Sequence, residues 1–452
     1  MSGPLVLYTV FHANLDFSAL PDADVPLVLE RCYWPLLRIA DEDRLPIGLE
    51  LPVRTLERIA REDPEWMKAL GALAERGLVE VVGSGLAQVA GPLVPAGVNR
   101  ANLTLGRDAY ARLLGAPPST WFVHEQTFSR GVGALYGEIG AERLVVEWNN
   151  PATHRPELRA LRRAPARLAL GGGVAGPALL WNDSALFQKL QRFAHGLAPL
   201  AEYADFVLRG GLLACAYGGD LEIFDYRPGH PEPAGAERGV EMARVREALL
   251  AVARDPRAAF ALPRDAAAGL AEGPLVELAA PADPIPCKKQ PRYNPTRWAV
   301  SGRDAIGLNT RCHRLQRAFV AARFLGAAHD GAHEAGAWRE LVSLWRSDLR
   351  TRATEEKLTD FHERAGRLGA ALRERIAAAT PPLPPGADAL LVNASDAAWD
   401  GEIAEIEMRF PPGRLAAGAV RALPESALAD AAAQLEVRER HRDGSVRSAR
   451  LV

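Results

Sequence analysis

Short apolar runs alternate with longer amphipathic stretches over the first two-thirds of the chain. Stretches such as residues 54–76 and 100–114 have the apolar spacing of helices. Seven apolar runs are predicted to be buried strands: residues 4–11, 46–51, 78–82, 120–124, 143–147, 178–181 and 212–217. Continuous apolar strands that alternate with helices are typical of an α/β fold whose parallel sheet is covered on both faces. Seven such units predict a closed or nearly closed β/α barrel.

The pattern changes at residues 281–296, which are rich in proline and have no hydrophobic period. Helices with apolar residues at three- and four-residue spacing are predicted next, at 311–327, 334–351 and 354–379. After the proline-rich residues 381–386, strand-like alternation is present at 388–394, 402–409 and 433–450. We therefore predict a barrel over residues 1–285, a helical bundle over 286–380 and a small β-rich C-terminal unit over 387–452.

The composition is that of a globular protein. Of the 452 residues, 48% are hydrophobic and 24% charged, with a formal net charge of −2. A near-neutral balance argues against a nucleic-acid partner, because nucleic-acid binders usually carry a basic excess. No apolar stretch approaches the ~18 residues that span a membrane, and no signal-peptide pattern precedes the first strand. The four cysteines form no CxxC pair. We therefore predict a cytoplasmic protein with free thiols.

Lysine is rare among the 54 basic residues. The chain contains Lys68, Lys189, Lys288, Lys289 and Lys357, and its other basic residues are arginine. The excess of arginine over lysine indicates a coding bias toward arginine. The positions that remain lysine are therefore candidates for roles that arginine does not fill.

Polar side chains follow the predicted strands, where the active sites of β/α barrels lie. They include His12, Asn14, Glu50, Gln88, His124, Glu125, Glu147, Trp148, Trp181, Asn182, Asp220, Glu222 and Asp225. Acids, amides and tryptophans around one barrel mouth are typical of a carbohydrate site, because aromatic faces stack on sugar C–H groups while amides and carboxylates bind hydroxyl groups. Hydrolysis of a glycosidic bond uses two carboxyl groups that flank it.

Each candidate also has a structural interpretation. The acids can be ion-pair partners of arginines, the tryptophans can be core residues, and His12 can be a buried, hydrogen-bonded histidine. A metal site could draw on His12, Asp16, His124 and Asp220, but no His-x-His or HExxH spacing supports one. We predict neither a metal nor a cofactor.

Several segments resemble the conserved regions of glycoside hydrolase family 57. These are residues 11–18 (FHANLDFS), 80–85 (EVVGSG), 121–126 (WFVHEQ) and 217–229 (YGGDLEIFDYRPG). Further motifs are similar to a bacterial branch of that family, at residues 92–95, 147–151, 187–189, 222–229, 288–298 and 344–351. The resemblance covers about residues 5–365. It implies an incomplete seven-stranded β/α barrel, a helical bundle that completes the active site, and a retaining enzyme for α-linked glucans.

The resemblance also implies roles for individual residues. Glu125 matches the nucleophile and Asp220 the general acid/base, and retention requires their carboxyl groups to lie about 5–5.5 Å apart. His12 matches a sugar-binding residue, and Asp348 matches an acid that closes the site from the helical bundle. The other expected substrate contacts are Asn14, Glu50, Gln88, His124, Trp148, Trp181, Glu222, Asp225, Lys288, Lys289, Trp298 and Trp345.

Three of the lysines lie in these family-like segments. Lysine is a compact point charge, unlike the planar fork of arginine. We therefore expect Lys189, Lys288 or Lys289 either to contact an anionic sugar group or to form a salt bridge.

The predicted function is a retaining glycoside hydrolase or transglycosidase for α-linked oligo- or polysaccharides. Two alternatives are a non-catalytic carbohydrate-binding barrel and a metal-dependent deacetylase or α-mannosidase-like enzyme.

Overall fold

The structure is a computed structural model of a chain that divides into two compact units. It describes residues 4–229, 238–268, 270, 272–278, 295–325, 331–380, 382, 389–392, 420–423, 436–440 and 446–450. The first unit comprises residues 1–310 and 335–364, and the second comprises 311–334 and 365–452. The predicted sites fall on the first unit.

Ten strands of the first unit form one sheet. They are β1 (Leu5–His12), β2 (Ile47–Leu51), β3 (Val79–Gly83), β4 (Thr120–Phe122), β5 (Arg143–Glu147), β6 (Ala166–Ala169), β7 (Ala175–Asn182), β8 (Leu213–Asp220), β9 (Ala258–Phe260) and β10 (Leu275–Val276). Seven of them, in the order β7-β5-β4-β3-β2-β1-β8, are parallel to their neighbours. These seven are the strands predicted from the apolar runs, and the predicted incomplete β/α barrel is confirmed.

The three further strands are short additions to this sheet. Strand β6 pairs antiparallel with β7, and β10 pairs with β6. Strand β9 pairs with the first residues of β1, whereas β2 pairs with Phe11 and His12 at the other end of that strand. Apolar pattern alone did not reveal these strands, because each has only two to four residues.

Strands β7 and β8 are the ends of the seven-stranded series, and side chains rather than a backbone ladder join them. The Asn182 amide of β7 donates to the carbonyl of Gly218 in β8 over 2.9 Å, and the Tyr8 hydroxyl of β1, the strand next to β8, donates to the carbonyl of Trp181 in β7 over 2.9 Å. Inside the sheet, apolar side chains from successive strands fill the core: Tyr8, Val10, Val82, Phe122, Val145, Leu180, Leu213 and Cys215.

The helices of the first unit cover the sheet and connect its strands. Wholly within this unit lie α1 (Val25–Val28), α2 (Trp34–Glu42), α3 (Val53–Glu62), α4 (Pro64–Glu75), α5 (Ala96–Leu114), α6 (Arg130–Glu138), α7 (Asn149–His154), α8 (Ser184–Ala194), α9 (Leu200–Val207) and α10 (Val240–Ala253). A π-helical turn, Leu29–Tyr33, joins α1 to α2. None of the helices in the described part of the chain is long and apolar enough to cross a membrane.

The single helix predicted over residues 54–76 is two helices. Asp63 separates α3 from α4, and its side chain accepts a hydrogen bond from the backbone N–H of Trp66 over 3.1 Å. Pro64 follows at the first position of α4, where its missing N–H does no harm. The Asp-Pro pair therefore starts a new helix, because it caps the second helix and cannot continue the first.

Three longer helices belong to both units: α11 (Ala305–Phe324), α12 (Gly331–Leu344) and α13 (Glu355–Ala379). The part of the first unit between α12 and α13 contains the one-turn 3-10 helix Ser347–Arg350. This turn replaces the end of the helix that the sequence predicted over residues 334–351.

Residues 335–364 are bound to the barrel by several polar contacts, and we call this part the return segment. Arg346 forms an ion pair with Asp16, which also binds Arg54 over 2.6 Å. Lys357 donates to the backbone carbonyl of Asp16 over 3.2 Å, and the N–H of Thr354 donates to the carbonyl of Ser18 over 3.2 Å. These contacts hold the turn Ser347–Arg350 over the loop that follows β1.

In the second unit, four described strands form two antiparallel pairs. Strand β11 (Ala389–Val392) pairs with β12 (Val420–Leu423), and β13 (Glu436–Arg440) pairs with β14 (Val446–Arg450). The strand-like runs predicted at 388–394 and 433–450 overlap β11, β13 and β14, whereas the run at 402–409 lies outside the described residues. The predicted boundaries at residues 285 and 387 stay predictions.

Cys32, Cys215 and Cys312 are buried free thiols, and Cys287 lies outside the described residues.

Candidate active site

A cavity of about 390 Å³ opens at the carboxyl ends of the parallel strands. Strands β1, β5, β7 and β8 end on cavity-lining residues, which are His12, Glu147, Asn182 and Asp220 respectively. Other residues of the lining are Asn14, Phe17, Gln88, Phe122, Glu125, Gln126, Phe187, Gln191, Arg297, Trp298 and Asp348. Carboxyl groups, amides and aromatic rings therefore face one space, which is the combination expected for binding a sugar.

Glu125 lies in a strained turn directly after β4. The one-turn helix His124–Gln126 follows the strand, and Glu125 has φ +53° and ψ 10°. Gln126 also has a positive φ of +51°. Non-glycine residues in this left-handed region are uncommon, and such strain is concentrated at functional sites. The backbone of this turn thus fixes the direction of a carboxyl group that is only partly buried and lines the cavity.

Asp220 is the last residue of β8 and also lines the cavity. In the parallel pairing of β1 with β8, it lies beside His12. Its backbone carbonyl accepts a hydrogen bond from the Tyr217 hydroxyl over 2.7 Å, and the next N–H, of Leu221, donates to the carbonyl of His12 over 2.7 Å. These contacts fix the backbone on both sides of the Asp220 carboxyl group.

His12 is a buried cation in this site. Burial, the largest single effect, lowers the pKa of its imidazole, but the charge and hydrogen bond of Glu50, together with the charges of Asp220 and Glu222, raise the pKa to about 10. Its Nδ1 pairs with Glu50 Oε2, and the Gln88 amide donates to Glu50 Oε1 over 3.0 Å. Glu50 is fully buried near the end of β2. It does not line the cavity, but it binds His12, which does.

Glu222 is fully buried beneath the cavity. Its Oε1 accepts hydrogen bonds from the backbone N–H of Asn14 over 2.6 Å and from the Tyr33 hydroxyl over 2.5 Å. Burial raises its pKa to about 7, although the His12 charge and these two donors oppose the rise. Glu222 therefore supports the loop after β1 instead of lining the cavity.

Asp348 reaches the cavity from the return segment. It lies in the turn Ser347–Arg350, and the Asn14 amide donates to its Oδ2 over 3.0 Å. Burial, followed by the negative charge of Glu125, raises its pKa to about 7. In the same turn, the Ser347 hydroxyl donates to Glu125 Oε1 over 2.7 Å. The return segment thus contributes both a carboxyl group and a hydroxyl group to the site.

Of the predicted site residues, the structure brings seven together around the cavity: His12, Asn14, Gln88, Glu125, Asp220, Trp298 and Asp348. Lys288 and Lys289 lie outside the described residues. Glu50 and Glu222 lie behind the lining and contact it through His12 and Asn14.

The other predicted sugar contacts are placed elsewhere in the barrel and the return segment. The ring of His124 binds the backbone carbonyl of Ser84, and burial lowers its pKa. Asp225 accepts hydrogen bonds from the N–H groups of Glu241 and Met242 and so caps the start of α10.

The three tryptophans away from the cavity are buried among protein groups. The Trp148 indole donates to the carbonyl of Leu158 over 3.0 Å and lies 4.8 Å below the Arg162 guanidinium. Trp181 is 2% exposed, and Trp345 is 1% exposed with Arg350 over its ring at 5.1 Å. These positions correspond to the core interpretation that the sequence also allowed.

Two lining residues were named among the strand-end candidates but not among the expected substrate contacts. Glu147 and Asn182 end strands as His12 does, so the strand-end rule that selected His12 also applies to them. The Glu147 Oε2 accepts from the backbone N–H of Asn150 over 2.8 Å. Ser347 lies in the family-like segment 344–351, but the sequence assigned it no role, because its contact with Glu125 joins residues 222 positions apart.

Lysine side chains in the described part of the chain bind protein groups. Lys189 forms a salt bridge with Glu202 at 2.8 Å, and Lys357 binds backbone carbonyls of the loop after β1. Lys189 therefore has the salt-bridge role that was one of its two expected roles. Among the described residues, no group of three or more His, Cys, Asp or Glu side chains is arranged to hold a metal ion.

Comparison with known proteins supports the same family as the sequence motifs. Residues 11–165 match the model of glycosyl hydrolase family 57. The match contains His12, Glu50, Gln88, Glu125 and Glu147, and it ends before Asp220 and Asp348. A search of curated proteins found no match.

Several solved structures are similar in fold. A GH57-type branching enzyme from Pyrococcus horikoshii has a TM-score of 0.60 at 14% identity, with 84% of this chain and 88% of that chain covered. The α-amylase AmyC from Thermotoga maritima has a TM-score of 0.59 at 12% identity, with 83% and 93% covered. The 4-α-glucanotransferase from Thermococcus litoralis has a TM-score of 0.55 at 16% identity, with 75% of this chain covered.

This chain spans 54% of the length of that glucanotransferase. At these identities the similarity shows the fold. Together with the match of residues 11–165 to the family model, it confirms the predicted resemblance to glycosyl hydrolase family 57.

Proposed function

We propose that this chain is a retaining glycoside hydrolase or transglycosidase for α-linked oligo- or polysaccharides, with Glu125 as the nucleophile and Asp220 as the general acid/base. The observation that carries the proposal is that these two carboxyl groups line the same cavity, at the ends of β4 and β8. A retaining mechanism needs two such groups on opposite sides of one glycosidic bond.

In the first step, Asp220 gives its proton to the glycosidic oxygen while Glu125 attacks the anomeric carbon. The bond between that carbon and the leaving oxygen breaks, and a glycosyl ester forms on Glu125. His12 carries a positive charge beside Asp220 and Glu222. It therefore offers a charged donor to a sugar hydroxyl or ring substituent.

In the second step, Asp220 takes a proton from water, and the water oxygen attacks the anomeric carbon. The ester bond to Glu125 breaks, and the sugar leaves with its original configuration. If a sugar hydroxyl replaces water, the same step is transglycosylation. The return segment contributes Asp348 to the lining of this cavity and the Ser347 hydroxyl to the carboxyl group of Glu125.

The names of the structural neighbours suggest where a substrate search should begin. A branching enzyme, an α-amylase and a 4-α-glucanotransferase share this fold. We therefore propose α-glucans as the first substrates, and malto-oligosaccharides and aryl α-glucosides as the first probes. An acidic glycan should be added for the proposed contacts of Lys288 and Lys289, with a Lys288→Ala, Lys289→Ala double variant as its test. Unchanged turnover of the acidic glycan would remove that contact.

The direct test compares wild type with Glu125→Gln and Asp220→Asn across this panel. We expect Glu125→Gln to lower kcat by at least about 10³-fold, because no glycosyl ester can form. Asp220→Asn should be most active on aryl glycosides, whose leaving groups need little protonation. A matched control is Glu138→Gln, which changes an exposed acid paired with Arg100 and should keep wild-type rates.

Nucleophile loss can be separated from misfolding by adding azide. With an activated aryl α-glycoside, Glu125→Gly plus azide should regain turnover and form a glycosyl azide of inverted configuration, since azide occupies the place of the missing carboxylate. Product analysis by NMR measures this. No difference between wild type and Glu125→Gln on any probe would instead favour a carbohydrate-binding barrel, and activity lost with a chelator and regained with zinc would favour the metal-dependent alternative.

A further inference from the structure

We propose that Ser347 is a positioning residue for the nucleophile, and that its hydrogen bond to Glu125 speeds release of the sugar from the glycosyl ester. This inference rests on the proposed double-displacement function. It assigns a kinetic role to a residue of the return segment whose side chain acts through Glu125 and not on the sugar.

The geometry fixes the Ser347 hydroxyl tightly. Ser347 is completely buried at the start of the turn Ser347–Arg350. Its backbone N–H donates to the carbonyl of Gln88 over 3.0 Å, and its hydroxyl donates to Glu125 Oε1 over 2.7 Å. The donor is therefore anchored to the loop after β3 and aimed at the carboxyl group after β4.

The residues on either side of Ser347 are also bound to the barrel. Arg346 forms an ion pair with Asp16, and Asp348 accepts from the Asn14 amide over 3.0 Å. Arg346 and Asp348 thus bind the loop after β1, and Ser347 binds the loops after β3 and β4. The Glu125 carboxyl group that accepts the Ser347 hydrogen bond belongs to a turn whose backbone is in the left-handed conformation, at φ +53°.

This hydrogen bond changes strength during the reaction. A hydroxyl binds a charged carboxylate more strongly than a neutral ester carbonyl. When Glu125 Oε2 forms the bond to the anomeric carbon, Oε1 becomes the ester carbonyl and the hydrogen bond weakens. When that bond breaks, negative charge returns to the carboxylate and the hydrogen bond strengthens. Only an interaction that is stronger in the transition state than before it accelerates a step. Ser347 should therefore accelerate the second step and not the first.

The test is Ser347→Ala, assayed with an aryl α-glycoside whose good leaving group makes the first step fast. We expect kcat to fall about ten-fold, which is the order expected for one hydrogen bond to a charged group. KM should fall by a similar factor, because the glycosyl enzyme accumulates, while kcat/KM stays within about two-fold. Mass spectrometry of acid-quenched enzyme should show a larger fraction of the peptide containing Glu125 carrying the sugar.

Two variants of the same position keep the test independent of folding. Ser347→Thr retains the hydroxyl and should restore most of the wild-type kcat. Ser347→Cys retains the side-chain shape with a weaker donor, should give a kcat between those of wild type and the alanine variant, and replaces the alanine variant if that variant does not fold. Ser343→Ala is the matched control, because Ser343 is equally buried on the return segment and its hydroxyl bonds to Arg339 and Arg54. Its kcat and KM should not fall together.

The inference is overturned if Ser347→Ala lowers kcat/KM as much as kcat at constant KM, or if it changes no kinetic parameter. Either result leaves the proposed function intact as long as Glu125→Gln is inactive. If Glu125→Gln is as active as wild type, the proposed function itself fails, and the two failures are thereby distinguished.

Discussion

Two buried carboxyl groups, those of Glu222 and Asp348, are joined through one residue of the loop after β1. Asn14 donates to Glu222 with its backbone N–H and to Asp348 with its side-chain amide. Burial raises the pKa of each carboxyl group to about 7. Since both groups gain a proton near neutral pH, the charge of the site changes in the range where an enzyme is ordinarily assayed.

Asp348→Asn should alter the pH dependence of stability. Between pH ~4 and ~7 the folded protein binds a proton at Asp348 that the unfolded chain has released, so the free energy of unfolding falls as pH rises through this range. Above pH ~7 this decrease in the free energy of unfolding is complete, and it is on the order of a few kcal/mol. The variant is neutral at this position at all pH values. It should therefore match wild type only below pH ~4, where both states bind the proton, and its advantage in Tm should grow between pH 5 and pH 8.

Thermal unfolding at pH 5, 6, 7 and 8 measures this difference. Glu138→Gln is a suitable control, because that acid is exposed and ionised in both states over the whole range. A difference in Tm between wild type and Asp348→Asn that is the same at pH 5 and pH 8 would contradict the prediction.

Among individual residues, the sequence predicted those that lie at strand ends around the cavity, such as His12 and Asp220. Asp348 came from the resemblance to a family. Whether a tryptophan or an acid faces the cavity or the core depends on its side-chain neighbours, which the strand pattern does not contain. Trp181 and Asp225 illustrate this: one is buried beneath the end of β7, and the other caps α10.

Among the elements of the fold, β1 and β2 come unusually close to the turn Pro263–Asp265. A Cβ atom on Gly48 in β2 would lie 2.1 Å from the backbone carbonyl oxygen of Thr9 and 2.5 Å from Cγ of Pro263. Neither group is the flexible end of a long side chain, so the strands themselves would have to move. Glycine is therefore required there by space and not by backbone conformation.

Gly48→Ala should lower the free energy of unfolding by about 2 kcal/mol or more, because the added methyl group overpacks two strands. Gly71→Ala is the matched substitution, and it should raise the free energy of unfolding instead of lowering it. Gly71 lies inside α4, and no heavy atom lies within 4 Å of a Cβ built there, so alanine should add about 0.5–1 kcal/mol.

Urea unfolding of the two variants beside wild type provides the measurement. A midpoint for Gly48→Ala at or above that of wild type would show that β1 and β2 separate more easily than this packing indicates.

Elements were predicted well where a long periodic pattern existed, as in the seven parallel strands and α13. The helix predicted over residues 54–76 was wrong in its continuity, because apolar spacing persists across Asp63 while the local capping chemistry ends one helix and starts another. Strands β9 and β10 were missed because two or three residues carry no measurable period.

On the scale of the first unit, the return segment is joined to the barrel by a buried charge cluster. Asp16 binds both Arg54 and Arg346, and Arg346 is only 5% exposed. Burial opposes ionisation of Asp16, but the two arginines outweigh burial and hold the pKa of that carboxyl group well below its usual range. The cluster fixes the turn that carries Ser347 and Asp348.

Asp16→Asn should therefore reduce stability and activity together. Arg346 would be left buried without its counter-charge, at a loss of roughly 3 kcal/mol, and the turn that reaches the cavity would lose an anchor. Asp22→Asn is the matched control in the same loop: its carboxyl group is 51% exposed and pairs with Arg58. That substitution should change stability by less than about 1 kcal/mol.

Chemical denaturation and kcat measured on the same preparations test both effects. Full activity in a destabilised Asp16→Asn protein would show that the turn keeps its place without the ion pair.

The left-handed turn at Glu125 sets backbone stability against the choice of side chain at that position. At most strand ends a polar residue can be kept without a cost to folding. The requirements of folding and of chemistry then favour the same residue. At position 125 they select differently, since glycine adopts a φ of +53° without strain and glutamate does not. A glycine variant would relieve this backbone strain but would also remove the carboxyl group that accepts the hydrogen bond of the buried Ser347 hydroxyl. Under the proposed function, the backbone strain at this turn is therefore the cost of placing the carboxyl group of the nucleophile in the cavity.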